Sequence, residues 1–211
     1  MPRHATRTAD RRGERAFTVL EVLVALSLFG VVLLTGFAAF NASYRGLVAG
    51  KELADEHQNA RLVLEWITRR IRLAGIGAPP GTTAFFSEAG TSALAFVADT
   101  DADGVLEWRR YCLDAAAGAV REQVLEPAPT PLPSPGDACA GATITSQGLH
   151  ALRVSLLQFS YFNGQEAATS ALSQIRRVRI VLGLDSNRSG AYDAAQDVTF
   201  TMDAVLRNPL Q

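Results

Sequence analysis

The chain has 211 residues, a mass of 22.6 kDa and a formal net charge of -1, with 48% hydrophobic and 19% charged residues. That composition excludes a disordered chain and a generally basic nucleic-acid binder, and the length allows one compact domain plus an appendage. The charge is unevenly placed: the first 16 residues carry Arg3, Arg7, Arg11, Arg12 and Arg15 against Asp10 and Glu14.

An apolar run follows this basic head. From Phe17 to Phe40 the sequence reads FTVLEVLVALSLFGVVLLTGFAAF, and Glu21 is its only ionisable residue. As a helix it would be roughly 36 Å long, against a bilayer hydrocarbon core of about 30 Å. A secretory signal has a shorter apolar core, of about 7 to 15 residues, so the run is expected to span a membrane. The basic head should stay in the cytoplasm, which places the rest of the chain on the other side.

The helical pattern then continues, with no proline before Pro79. Leu53, His57, Ala60, Leu64, Ile67, Ile71 and Ala74 step by four and three and form one apolar stripe. Arg61, Glu65, Arg69 and Arg72 lie off it, with Glu65 and Arg69 in the favourable i,i+4 order. Gly75, Gly77 and Pro79-Pro80-Gly81 predict the stop, giving one helix from about residue 17 to 74. A small domain can cover only its second half.

The remainder alternates as strands do. Ser92 to Ala98, Val105 to Leu113 and Gly118 to Leu125 predict a three-stranded meander, and Glu126 to Gly136 a proline-rich loop. Leu152 to Phe162, Ile175 to Leu184 and Val198 to Leu206 are further strands. The expected class is α+β, a long helix against an antiparallel sheet. Arg176, Arg177 and Arg179 on one strand are a weak electrostatic footprint for nucleic acid, and a solvated strand face accounts for them better.

Cys112 and Cys139 are the only cysteines, and their spacing is not that of a zinc site. In an oxidising compartment they read as one disulfide, the alternative being two buried thiols. Asp99, Asp101 and Asp103, followed by Gly104, have the alternation of half a calcium loop, with Glu107 at the ninth position. Arg110 stands where an EF-hand needs glutamate, which excludes that motif. The same aspartates would equally form Asx turns between strands. Asp185, Asn187, Ser189 and Asp193 repeat the spacing with weaker ligands.

Residues 15 to 26, RAFTVLEVLVAL, resemble the prepilin cleavage and methylation motif of type IV pilins and type II secretion pseudopilins. The resemblance implies a type IV pilin-like fold. It also implies cleavage by a prepilin peptidase between Ala16 and Phe17, with Phe17 as the methylated N-terminus and Glu21 fifth after the cut. Ala16 departs from the usual glycine. RLVLEWITRRIRLAGIG (residues 61 to 77), the Asp-rich loop and the strand around Trp108, Arg109, Arg110 and Tyr111 are similar to PilW-like minor pilins. The expected organisation is a leader (1–16), a membrane and filament-core helix (17–40), an amphipathic continuation (41–76) and an extracytoplasmic β-rich domain (77–211). Expected partners are the peptidase, other major and minor pilins and the inner membrane. A J-class pseudopilin and an adhesive or DNA-binding tip module are the alternatives. His4, His57 and His150 are scattered, and neither a nucleophile elbow nor a phosphate loop occurs, so no enzymatic activity and no cofactor other than calcium is expected.

Overall fold

The computed structural model describes residues 18–82, 84–133, 139, 142–143, 153–186 and 189–207. Helix α1 runs from Val19 to Ile71, and the chain divides into two compact units, Met1–Lys51 and Glu52–Gln211. In the first unit the described residues leave the helix uncovered: Leu20, Leu34 and Leu47 are each more than 70% exposed.

In the second unit the same helix has a filled face. Ala60, Val63, Leu64, Ile67, Ile71 and Ala74 are buried, at the spacing expected of one face. The buried stripe begins two turns later than predicted, at Ala60: Leu53 is 44% exposed and His57 half-buried. The helix also ends at Ile71, three residues before the expected end, because Leu73 N–H donates to Arg70 O at 3.0 Å and Ala74 N–H to Ile71 O at 3.0 Å. Those are tight-turn bonds. Gly75, at φ +82°, lets the chain leave: its N–H donates to Val97 O at 2.9 Å, and a Cβ there would lie 2.5 Å from the Phe85 ring.

The strands make two antiparallel sheets rather than one meander with outliers. The first has the order β1 (Phe86–Ala89), β2 (Ala93–Ala98), β3 (Glu107–Asp114), β4 (Ala119–Leu125), β5 (Ala142–Thr143). The second has β6 (Val154–Phe162), β7 (Arg177–Leu184) and β8 (Val198–Val205). β1 and β5 were not expected from the sequence, since four and two residues are too short to show alternation. The sheets are tied where Phe159 N–H meets Thr91 O at 2.8 Å and the Tyr161 hydroxyl donates to Gly90 O at 2.7 Å. The helix stripe, Leu94, Phe96 and Tyr111 of the first sheet, and Leu157, Phe159, Val178, Ile180 and Leu182 of the second share one core.

Strand β3 carries charge into this interior, and register explains how. Glu88 on β1 pairs with Ala95, which pairs with Arg110 on β3, so acid and base stand two strands apart on one face with only a methyl between them. The Arg110 Nε reaches Glu88 Oε2 at 2.6 Å across that gap, and both residues are buried. On the other face Arg109 bridges Glu107 and Glu122, each at 2.8 Å, and the Tyr111 hydroxyl donates to Glu122 at 2.9 Å. Cys112 lies on the Arg110 side of β3 and is disulfide-bonded to Cys139.

Removing one partner of a buried pair strands the other charge. Glu88→Ala should therefore destabilise the domain by about 3 to 5 kcal/mol in urea titration, and Glu88→Met with Arg110→Leu should recover most of the loss. A pH dependence follows from other carboxylates. The hydrogen bond from Arg179 holds Asp203 below its ordinary pKa against an upward push from burial, and the hydrogen bond from Arg177 and the charges of both arginines add to the lowering. For Glu107 burial pushes the pKa up, but hydrogen bonds from Arg109 and Thr100 and the charge of Arg109 outweigh it. A depressed pKa gives stability that is complete above the unfolded value of about 4 and is lost as pH falls through the folded one. Thermal melts should thus weaken in acid, and Asp203→Asn should flatten that slope.

Candidate functional site

Helix α1 starts at a defined cap. Thr18 precedes it, and the Glu21 N–H donates to both the Thr18 carbonyl at 3.0 Å and the Thr18 hydroxyl at 3.3 Å. Thr18 and Glu21 have the spacing of a capping box, a pattern visible in the sequence but absent from the expectations above. Ala16 and Phe17, the expected cleavage pair, lie outside the described residues.

Beyond the cap, the polar side chains of the apolar run turn back onto the helix. Ser27 Oγ donates to Leu23 O at 2.8 Å, Thr35 Oγ1 to Val32 O at 3.0 Å, and Asn41 Nδ2 to Phe37 O at 3.0 Å. Such bonds give donors a partner where water is absent. Glu21 is the exception: its carboxylate has no hydrogen-bond or ion-pair partner among the described residues, and it stands in a row with Ala25 and Leu28 one and two turns on. An 18-residue window of this helix is apolar enough to cross a membrane, and none of it is buried within the chain. A Cβ at Gly30 or Gly36 would meet nothing within 4 Å, so whatever closeness those glycines permit is available only to another molecule.

The acidic loop is arranged differently. Carboxylate oxygens of Asp99, Asp101 and Asp103 lie within 4.8 Å of one another and could each offer one ligand atom to a cation. In the structure they hold the loop's own amides. Asp99 accepts from Ala102 N–H at 2.7 Å and Gly104 N–H at 3.0 Å, Asp101 from Asp103 N–H at 3.3 Å, and Asp103 from Val105 N–H at 2.8 Å. Glu107 is buried, bonded to Thr100 and to Arg109 at 2.8 Å, though one oxygen also lies within 4.8 Å of Asp101 and Glu126. Burial and the neighbouring carboxylates Asp103, Asp101 and Glu107 push the Glu126 pKa up. In the second loop Asp185 accepts from Ser189 N–H at 2.9 Å and Gly190 N–H at 2.8 Å, and Asn187 lies outside the described residues.

Arg177 and Arg179 both bond Asp203, at 2.8 and 2.9 Å, and stack on Phe162 at 4.2 and 5.3 Å from its centroid. Two of the three strand arginines are therefore committed within their own sheet.

Compared with known families, residues 11–37 match the prokaryotic N-terminal methylation motif. No curated protein and no solved structure matches the chain. The matched segment contains Thr18, Glu21 and all but the last three residues of the apolar run from Phe17 to Phe40.

The cap yields a local prediction. Thr18→Ala removes a side-chain acceptor worth about 1 kcal/mol, so the Glu21 amide should exchange several-fold faster in detergent micelles, while amides after Leu28 keep their rates.

Proposed function

We propose that this type IV pilin-like protein is a minor pilin of the PilW-like kind, a structural subunit that takes part in pilus assembly or initiation. The observation that supports the reading best is the Glu21 carboxylate, without a partner among the described residues, in a helix whose apolar surface those residues leave open. A charged residue inside an apolar span costs about 2.5 to 3.5 kcal/mol and is kept where it meets a partner. Prepilin peptidase would cut between Ala16 and Phe17, and the new amine of Phe17, four residues from Glu21 or on an adjacent subunit, is the natural counter-charge. Before assembly lipid would cover the run from Val19 to Phe40, with the basic leader cytoplasmic and residues after it periplasmic. In the filament the helices of neighbouring pilins would take the place of lipid.

Two measurements test this. Mass spectrometry of the protein from membranes should find a mature N-terminus at methylated Phe17, and an uncut chain would overturn the reading. Glu21→Ala should insert normally yet enter filaments at least roughly tenfold less, the loss of about 1.4 kcal/mol or more of assembly energy. Normal incorporation of that variant would remove Glu21 from the assembly role.

A further inference from the structure

The end of helix α1 and the chain after β8 meet in a cleft of about 520 Å³ in the second unit, within the ordinary size range for small-ligand sites. Leu73 and Met202 contribute its apolar lining, and Arg69, Arg72 and Arg207 its charge. The Arg207 N–H donates to Arg72 O at 3.1 Å, so the backbones of two arginines are fastened side by side.

The usual uses of these charges do not absorb them. Last-turn arginines commonly complement helix carbonyls, but here Thr68 O, Arg70 O, Ile71 O and Arg72 O already accept from backbone amides. Arg69 has Glu65 at 3.5 Å, an exposed pair of small value. Arg72 makes one 3.4 Å bond to Asp203 O, and neither Arg72 nor Arg207 has a carboxylate partner among the described residues. Three arginines less Glu65 leave a charge of two.

Thr68 supplies an independent sign. It lines the same cleft, is 2% exposed, and its hydroxyl has no hydrogen-bond partner among the described residues, although a helical threonine can bond the carbonyl one turn back. A buried hydroxyl left unpaired costs about 1 to 3 kcal/mol.

We propose that this cleft is an oxyanion site for a phosphate group, free or as a monoester, with the Arg72 and Arg207 guanidinium groups as its main donors and Thr68 as a third. A phosphate carries about 1.5 to 2 negative charges at neutral pH and offers several acceptor oxygens, which fits a surplus of two and more than one guanidinium fork better than a single carboxylate does.

The full chain in uncharged detergent, at fixed ionic strength, is titrated calorimetrically with inorganic phosphate, with glycerol 3-phosphate and with succinate. Saturable binding of phosphate at millimolar concentration or below is expected, weakened roughly tenfold or more in Arg72→Gln with Arg207→Gln. Thr68→Val should weaken binding several-fold without lowering the Tm measured in the absence of phosphate, whereas Thr68→Ser should bind normally. Arg61→Gln, outside the cleft, should change nothing. Tighter binding of glycerol 3-phosphate than of phosphate would identify an esterified ligand, and the reverse a free one; both support the site. Absence of saturable phosphate binding, equal binding of succinate, or binding indifferent to Arg72, Arg207 and Thr68 would overturn it. Thermal melts of every variant confirm that each is folded.

Discussion

The controlling constraint is that one helix meets two different environments. From Ala60 onward its apolar stripe is covered by the sheets of its own domain, so Ile67 and Ile71 are fully buried. From Val19 to Leu47 the same helix offers leucine, valine and phenylalanine on every side, and its own chain covers none of the apolar window. At about 25 cal/mol per Å², that exposed apolar area is a driving force the described residues leave unmet. Ser27, Thr35 and Asn41 are bonded back to helix carbonyls and so are satisfied without water, which the Glu21 carboxylate is not among the described residues.

Inside the domain the unusual element is β3, six of whose eight residues are buried although three of those six are charged. Its tolerance comes from register. Ala95 between Glu88 and Arg110 lets the pair close across two strand spacings, and a larger side chain at that position would hold them apart. Arg109 is satisfied by two acids, and Tyr111, whose pKa burial and then Glu122 push upward, stays a neutral donor to Glu122. Such pairs add little net stability over apolar residues but penalise any slip that would leave a charge unpaired.

How much of this was legible in the sequence differed by the range of the interaction. The long helix, its stop near Gly75 and the six longer strands follow from local periodicity and turn residues, and the structure places them within a few residues of the expected bounds. Leu53 was misread because periodicity reports which face a residue is on, whereas burial depends on whether anything covers that face. The division into two sheets and the pairing of Glu88 with Arg110 depend on strand order, which no local pattern encodes. The Asp-rich loop is the converse case. The structure brings Asp99, Asp101 and Asp103 together, but spacing alone does not distinguish carboxylates that hold backbone amides from carboxylates free for an ion. Thr18 was legible as a capping residue three before Glu21, yet a reading drawn to the glutamate's charge passed over the hydroxyl beside it.

The cap bears directly on what Glu21 requires. In the first turn of α1 its carboxylate faces the positive end of the helix dipole, a position worth about 0.3 to 1 kcal/mol to an acid. The Thr18 hydroxyl spends its bond on the Glu21 amide, so it steadies the backbone without neutralising the carboxylate. Even against the cost at a helix centre, about 2.5 to 3.5 kcal/mol and the most a first-turn residue would meet, the dipole leaves about 1.5 to 3 kcal/mol uncompensated. The residual is too small to prevent a long apolar helix from entering lipid, and large enough to bias that helix toward any arrangement that brings a cation to its first turn. A carboxylate placed this way permits residence in a membrane while favouring any neighbour that offers its first turn a cation.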